Sequence, residues 1–299
     1  MKILFLSDIH YDYDKDNINY PELNRVHSVL WDWLDKVKND FALIIFGGDL
    51  VLRGSTRIEE LRAFKEKADA IGHPYQVVPG NHDMGPRMKS ETVYPGLEEY
   101  EYKELEETNF AKVFGEKGLR NITYVNGVKI IGFALRNNDP DGQLVWLEKE
   151  LEEPVPKLVY SHYPVVPARS GGYCSTWDYR RIEHSKDTLA NLLKNPEYQV
   201  AAYLCGHLHI NSVVPVGDCL QIVTGTVGSG ITVYREIEIS EKELNITIKR
   251  LPHFPEFVGQ VTNPDEEHST DAEHKTVRDY HLGNEIERNL VIDLTRYRR

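Results

Sequence analysis

The feature that most constrains the fold is a construction that recurs five times, a short apolar run followed at once by aspartate, asparagine or histidine. The five polar blocks are Asp8-Ile9-His10, Gly48-Asp49, Gly80-Asn81-His82-Asp83, His162 and Gly206-His207-Leu208-His209. A single block is weak evidence because glycine and asparagine also favour ordinary turns. Since the runs have the length and composition of buried strands, their recurrence predicts that five strand ends meet at one edge of a sheet.

Composition places the chain among ordinary globular proteins. Its 299 residues can form one large domain or two small ones, and 40% are hydrophobic while 27% are charged. No apolar run reaches the length of a membrane span or a signal-peptide core, so we expect a cytoplasmic protein without a membrane partner. Three cysteines without CxxC spacing, Cys174, Cys205 and Cys219, indicate neither disulfides nor a cysteine zinc site and are interpreted as packing residues.

The charge balance bears on the partner. The chain has 47 acidic and 35 basic residues, a formal net charge of -12. An acidic surface argues weakly against nucleic acid as the main partner, although bound metal ions can make a site positive on an acidic protein. We therefore expect a small substrate, and the sequence leaves a homodimer open.

Strand-like and helix-like patterns alternate from residue 1 to about residue 250, which predicts an α/β domain over residues 1–250. Residues 84–118 are rich in Glu and Tyr and are interpreted as an inserted cap near the site. Asn126-Gly127 between two apolar runs predicts a β-hairpin, where a second sheet begins. Residues 251–299 are assigned to a C-terminal extension, in which Leu290, Ile292 and Leu294 fit either a strand or half of a helix.

The polar blocks have the chemistry of metal ligands. On extended backbone residues i and i+2 point the same way, so Asp8 and His10 can bind one ion, and His207 and His209 repeat that spacing. Two ions need a shared oxygen ligand, and Asp49 follows two glycines that allow close backbone approach. Mixed oxygen and nitrogen ligands favour manganese, iron or zinc.

The ordered set Asp-x-His, Gly-Asp, Gly-Asn-His-Asp, His and Gly-His-x-His resembles the signature of calcineurin-like metallophosphoesterases and spans residues 8–209 with no member missing. In detail the chain resembles the class III cyclic-nucleotide phosphodiesterases, since Gly48-Asp49-Leu50 runs into Arg53-Gly54 and Gln143-Leu144-Val145-Trp146-Leu147 precedes the strand to His162. The resemblance implies a four-layer α/β/β/α sandwich with a dinuclear metal centre at the strand ends.

The same resemblance implies a role for each residue. Carried onto this sequence, it puts Asp8, His10, Asp49 and His209 on one ion and Asp49, Asn81, His162 and His207 on the other. His82 would stabilise or protonate the leaving oxygen. Two divalent ions, with manganese expected to support activity, would lower the pKa of a bridging water for in-line attack by hydroxide on a small phosphodiester such as a cyclic nucleotide.

Some positions depart from the nearest branch. Ser161 stands where a second histidine is common, and Arg136-Asn137-Asn138 stands where relatives often carry an acidic residue, so substrate preference is open. A purple acid phosphatase is disfavoured because Leu52 occupies the position of its required tyrosine. Four arginines could bind a substrate phosphate but are interpreted as solvated surface residues: Arg53, Arg169, Arg180 and Arg181. Seven histidines are interpreted as surface or satisfied core residues: His27, His73, His184, His253, His268, His274 and His281.

Three alternatives to a small-molecule phosphodiesterase stay open. A nuclease of the double-strand-break repair type shares the five blocks, and a phosphomonoesterase can use the same dinuclear site. The third is a non-catalytic interaction module, as in the retromer subunit that keeps this sandwich without activity. The intact His82 and the full ligand set argue against that module.

Overall fold

The computed structural model describes residues 1–11, 21–84, 103–169, 182, 184–228, 230–258, 261, 263–268, 271 and 273–298. Its strands are β1 Lys2–Leu6, β2 Leu43–Phe46, β3 Tyr75–Val77, β4 Arg120–Val125, β5 Val128–Phe133, β6 Lys157–Tyr160, β7 Val200–Cys205, β8 Ser212–Val216, β9 Cys219–Val223, β10 Gly230–Ile231, β11 Val233–Ile239, β12 Glu243–Arg250, β13 Phe257–Val258 and β14 Asn289–Asp293. Its α-helices are α1 Pro21–Val37, α2 Ile58–Ala70, α3 Asn81–Met84, α4 Asn109–Phe114, α5 Gln143–Leu151, α6 Lys186–Lys194, α7 Val277–Leu282 and α8 Glu285–Arg288. Short 3₁₀ turns cover Lys38–Asp40, Leu105–Glu107, Glu116–Gly118, Pro196–Tyr198 and Leu294–Tyr297.

The strands form two large mixed sheets. The first has the order β14-β12-β11-β1-β2-β3, in which β1, β2 and β3 run parallel. The second has the order β4-β5-β6-β7-β9-β8, in which β5, β6, β7 and β9 run parallel. β10 and β13 pair separately. The parallel strands of both sheets end on the same side of the molecule as the polar blocks.

Side-chain alternation along the strands explains the layers. In β1, Ile3 and Phe5 face the core between the two sheets, whereas Leu4 and Leu6 pack beneath the outer helices. In β7, Ala202 and Leu204 face the inter-sheet core, while Tyr203 and Cys205 pack on the opposite side. Because both faces of each sheet are covered, β2 and β7 are apolar throughout.

The helices complete a four-layer α/β/β/α sandwich, as predicted. Apolar residues of α1, α2 and α4 pack on the outer face of the first sheet, and those of α5, α6 and α7 pack on the outer face of the second. The predicted hairpin is confirmed, with positive φ angles of 47° at Asn126 and 76° at Gly127. β8 was not predicted from the sequence.

The structure contradicts the expectation of a single sheet edge and resolves the open assignment of residues 290–294. The polar blocks follow strands of two sheets, β1, β2 and β3 in one and β6 and β7 in the other, so the prediction of a single sheet edge is wrong. The open choice at residues 290–294 is decided in favour of a strand, since β14 pairs antiparallel with β12.

Only the end of the proposed cap insert can be described. Residues 85–102 lie outside the described residues, and so do Cys174, Arg180 and Arg181. Residues 103–118 form turns and helix α4, whose Phe110 is buried in the core beneath α2. Within the described part of the chain, no helix is long and apolar enough to cross a membrane.

Candidate metal centre

The side chains predicted to bind metal converge between the two sheets. Potential ligand atoms lie within 4.8 Å of one another in three overlapping groups: Asp8 with His10 and His209, His10 with Asp49 and His82, and Asp49 with His162 and His207. Asp49 belongs to two of these groups. The first of the two sheets supplies the carboxylates and the second supplies His162, His207 and His209, so the cluster exists only when the sheets are packed together.

Backbone hydrogen bonds align the loops after β1 and β2. Asp8 N–H donates to the Gly48 carbonyl and His10 N–H donates to the Asp49 carbonyl, both at 3.0 Å. A Cβ at Gly48 would lie 2.5 Å from Nδ1 of His162, and Gly48 has a φ of +97°. A side chain at position 48 would therefore displace the His162 ring.

Five of the converging residues have left-handed backbone. Their φ angles are 52° at Asp8, 48° at His10, 48° at Asp49, 72° at His207 and 57° at His209. The expectation of extended backbone at the Asp-x-His and His-x-His pairs is therefore wrong. Such conformations cost on the order of 1–3 kcal/mol per non-glycine residue and persist only where the surroundings enforce them.

Contacts around Asp8 provide that enforcement. The carbonyl of Asp8 accepts bonds from Thr226 Oγ1 at 2.6 Å and from Gly228 N–H at 2.9 Å. Its carboxylate accepts from Ser7 Oγ at 2.6 Å and from His207 N–H at 3.0 Å. The sequence reasoning did not identify Thr226 or Gly228, because their bonds to Asp8 join distant segments, and it also missed the adjacent Ser7.

The carboxylates and His162 form an electrostatic cluster. Nε2 of His162 lies 3.3 Å from Oδ2 of Asp49 and 3.9 Å from Oδ1 of Asp8. Burial opposes ionisation of Asp8, but the His209 bond and the His162 charge outweigh it and lower the pKa of Asp8 to about 2. Burial likewise opposes ionisation of Asp49, and His162 and His82 hold the pKa of Asp49 well below its usual value.

His162 and His10 shift in opposite directions. Burial disfavours the His162 cation, but Asp49 and Asp8 outweigh burial and raise the pKa of His162 to about 9. Burial and the neighbouring His82 lower the pKa of His10 to about 3. The two ionised carboxylates make this cluster attractive to cations. The imidazolium of His162 is one such cation.

The donor set fits a pair of metal ions. Nε2 of His10 and Nε2 of His209 lie 3.1 Å apart, a distance at which two imidazole lone pairs need a shared proton or cation between them. His162 donates from Nδ1 to the Gly47 carbonyl at 3.0 Å, which directs Nε2 toward the cluster. Oδ1 of Asn81 is buried and has no hydrogen-bond partner within the described part of the chain.

His82 lies at the edge of this cluster and is partly exposed. Its backbone N–H donates to Asp49 Oδ1 at 2.8 Å, and its Nδ1 donates to the Leu52 carbonyl at 2.8 Å. Its ring packs edge-on against that of His10, with 4.8 Å between centroids. Because Nδ1 carries the proton, the neutral His82 ring presents Nε2 as an acceptor, and its cation presents Nε2–H as a donor.

Asp83 has a structural position that its motif did not reveal. Its buried carboxylate accepts bonds from the backbone N–H groups of Leu50 at 3.0 Å, Val51 at 3.2 Å and Gly80 at 2.8 Å. Burial and the nearby Asp49 carboxylate raise the pKa of Asp83 to about 8, against the effect of these three donors. Asp83 therefore connects the loop that carries Asp49 to the turn that carries Asn81 and His82.

Two of the buried arginines, Arg136 and Arg169, form ion pairs. Arg169, expected on the surface, is only 7% exposed and its guanidinium forms an ion pair with Glu287. Arg136 is also buried and forms a two-point ion pair with Asp141. The surface interpretation of Arg169 is wrong because Glu287, more than a hundred residues away in sequence, matches its charge inside the protein.

The family comparison agrees with the motif order. A family model described as calcineurin-like phosphoesterase matches residues 1–211. A curated relative, the probable glycerophosphodiester phosphodiesterase GpdQ of Arcobacter nitrofigilis, is 29% identical over 214 residues, which cover 70% of this chain and 72% of the relative.

Solved structures share the fold. A dimetal phosphatase from Danio rerio superimposes with a TM-score of 0.57 at 13% identity, covering 87% of this chain and 99% of that one. The purple acid phosphatase PPD1 from yellow lupin seeds superimposes with a TM-score of 0.61 at 13% identity, covering 86% of this chain and 52% of that one. GAP50, the anchor in the inner membrane complex of Plasmodium, superimposes with a TM-score of 0.52 at 13% identity, covering 88% of this chain and 90% of that one. At this identity the likeness concerns the fold alone.

The bonds of Asp83 generate a stability prediction. Asp83→Ala leaves three buried N–H groups without their acceptor, and each such group costs about 1–3 kcal/mol, so we expect the free energy of unfolding to fall by at least about 3 kcal/mol. Urea denaturation of the metal-free protein measures the loss. Asp69→Ala is the control, since the exposed carboxylate of Asp69 bonds the Lys65 and Tyr75 side chains at the surface and its loss should cost less than about 1 kcal/mol. Equal losses in the two variants would contradict the role of Asp83.

Proposed function

Because this chain belongs to the calcineurin-like phosphoesterases, which are phosphoric ester hydrolases, we propose that it hydrolyses small phosphodiesters at a dinuclear metal centre. The observation that carries the proposal is the position of Asp49, whose carboxylate belongs to two ligand groups. A carboxylate shared in this way can join two ions into one site.

We assign the ligands as follows. Asp8, His10, Asp49 and His209 would bind one ion, and Asp49, Asn81, His162 and His207 would bind the other. The distances among Asp8, His10 and His209 and among Asp49, His162 and His207 support these sets. Asn81 is included because its buried Oδ1 lacks a hydrogen-bond partner among the described residues and the next residue, His82, bonds Asp49. Manganese is the ion that we expect to support activity, since oxygen and imidazole ligands suit it.

When bound, two divalent ions supply Lewis acidity that polarises phosphoryl oxygens and lowers the pKa of coordinated water. The protein's own contribution is orientation. Gly47 fixes the tautomer of His162, and the N–H groups of His82 and His207 orient the carboxylates of Asp49 and Asp8. Because each of these hydrogen bonds involves a backbone group, the ligand geometry is set before substrate arrives.

We assign His82 to the leaving oxygen of the ester. Its Nδ1–H is bound to Leu52, so Nε2 is the atom that can bond or protonate the departing alkoxide. Its partial exposure, in contrast to the buried His10 and His162, puts it where a substrate can reach.

Charge favours a diester over a monoester. A phosphomonoester dianion benefits from cationic side chains beside the metals. Among the described residues, Arg53 pairs with Glu60, Arg136 with Asp141 and Arg169 with Glu287. These guanidinium groups add little net positive charge, which suits a diester with one negative charge.

Two chemical classes of diester are the candidates. The motif order resembles that of cyclic-nucleotide phosphodiesterases, and the relative at 29% identity is named a probable glycerophosphodiester phosphodiesterase. Both substrates present a single phosphodiester with one negative charge. Duplex DNA is disfavoured because a chain with 47 acidic and 35 basic residues has little charge for a phosphate track.

A hydrolysis panel on manganese-loaded protein tests the substrate class. It compares glycerophosphodiesters, 3′,5′- and 2′,3′-cyclic nucleotides and bis(p-nitrophenyl) phosphate with the monoester p-nitrophenyl phosphate and with duplex DNA. We expect kcat/KM for at least one small diester to exceed that for the monoester by at least about tenfold, which is about 1.4 kcal/mol of transition-state discrimination. That value should change little between about 50 and 200 mM salt, since few phosphate contacts are made.

Two results would overturn this assignment. Efficient duplex cleavage with a steep salt dependence, together with inactivity on every small diester, would identify a nuclease. Faster hydrolysis of the monoester than of every diester would identify a phosphomonoesterase.

Asp49 generates a prediction about metal content. Asp49→Asn weakens the ligand assigned to both ions, whereas His209→Ala removes a ligand from one ion only. We therefore expect Asp49→Asn to retain less metal than His209→Ala. Elemental analysis of both purified variants and of the wild type checks this, and a wild-type metal content in Asp49→Asn would rule out the shared ligand.

His82 generates a prediction about rate. A positioned acid contributes about 10²- to 10⁴-fold, so His82→Ala should lower kcat by that factor with metal content near that of the wild type. Steady-state kinetics and metal analysis are measured on the same preparation. Loss of metal together with activity would show that His82 is a ligand, as its proximity to His10 and Asp49 also permits.

A further inference from the structure

Residues 273–288 lie against the loop that carries His207 and His209, although the family match ends at residue 211. Two short helices, α7 and α8, make up most of this segment, and each begins with a capping box, Thr276 with Asp279 and Asn284 with Glu287. Reciprocal caps fix where a short helix starts. They therefore fix the position of His281 near the end of α7.

His281 bonds directly to a proposed ligand residue. Its Nδ1 lies 3.0 Å from the carbonyl oxygen of His209. A carbonyl only accepts, so Nδ1 carries the proton and donates it. The backbone of His281 bonds the same loop in turn, since its carbonyl accepts from Asn211 N–H at 2.9 Å and from Asn211 Nδ2 at 3.1 Å.

Asn211 and Arg169 extend this connection to the rest of the protein. Oδ1 of the fully buried Asn211 accepts from Gly225 N–H at 2.9 Å, beyond the end of β9. The guanidinium of Arg169 bonds the Asn211 and Tyr280 carbonyls and pairs with Glu287. The loop after β7 is thus bonded on one side to the sheet and on the other to the C-terminal segment.

The turn after α7 packs closely against the loop that follows β7. A Cβ at Gly283 would lie 2.9 Å from the Asn211 carbonyl oxygen, and Gly283 has a φ of +81°. The turn after α7 can therefore approach the loop only because residue 283 is glycine.

These contacts act on strained residues. His207 and His209 have φ angles of 72° and 57°, and left-handed backbone at non-glycine residues persists only where neighbours enforce it. We propose that residues 273–288 are part of the metal centre's framework and that His281 is a positioning residue, which keeps the backbone of His209 in the conformation that directs its ring to one ion. This inference rests on the proposed dinuclear site.

Stepwise metal binding tests the proposal without relying on activity. Calorimetric titration of chelator-stripped protein with Mn²⁺ gives a dissociation constant for each ion in the wild type, His281→Ala, His281→Asn and Tyr297→Phe. Asparagine can place its Nδ2–H near the position of the histidine Nδ1–H. Tyr297→Phe is the matched control, because it also removes one side-chain hydrogen bond to a carbonyl. Tyr297 donates to the Asp218 carbonyl at 2.6 Å, and Asp218 precedes β9 at the end of the strand opposite the metal centre.

Orienting groups behind metal ligands typically change affinity by about 10- to 100-fold. We expect His281→Ala to raise the dissociation constant of one ion by at least about tenfold and that of the other by less than about threefold. His281→Asn should recover most of the lost affinity, and Tyr297→Phe should match the wild type at both ions. Thermal melting of each variant verifies that it is folded.

Several results would overturn the inference. Unchanged constants in His281→Ala would show that the bond has no effect on the metals. Equal weakening in His281→Ala and His281→Asn would assign the effect to ring packing, and equal weakening in Tyr297→Phe would assign it to general stability. A wild type that binds fewer than two ions would overturn the proposed function and this inference together.

Discussion

Left-handed backbone at the converging residues is the constraint on which the rest of the structure depends. Asp8, His10, Asp49, His207 and His209 all adopt it, and at about 1–3 kcal/mol each the strain amounts to roughly 5–15 kcal/mol, which matches the net stability of a typical domain. Hydrogen bonds and packing from elsewhere must offset it. The buried bonds to the Asp8 and Asp49 loops, and the glycines that let them approach, are the contacts that do so.

The two-sheet architecture follows from that requirement. One sheet supplies the carboxylates and the other supplies His162, His207 and His209, so neither sheet alone contains a complete set of the proposed ligands. The inter-sheet core, with Phe5 and Tyr160 in edge-to-face contact, sets the distance between the two groups of loops. Stability and site geometry are therefore coupled, because loosening this core separates the ligands.

Much of the fold and site could be predicted from sequence, because periodicity and motif order report on strands and on side-chain chemistry. The runs before Asp8, Asp49, Asn81 and His207 are strands, and their polar ends do meet. Periodicity contains no information about φ, so the left-handed conformation of Asp8 and His10 was missed. Long-range pairing is equally invisible in the sequence, which is why Arg169, which pairs with Glu287 inside the protein, was interpreted as a surface residue. The bonds of Asp83 were missed for the same reason, since a motif names residues and not their hydrogen-bond partners.

We propose that these loops place two ions on one shared carboxylate, that of Asp49. Electron paramagnetic resonance of the protein loaded with two equivalents of Mn²⁺ tests it directly, because ions about 3.5–4 Å apart are magnetically coupled. We predict an exchange-coupled dinuclear spectrum in the wild type. A spectrum of two isolated Mn²⁺ ions at full occupancy would contradict the shared site and the chemistry built on it.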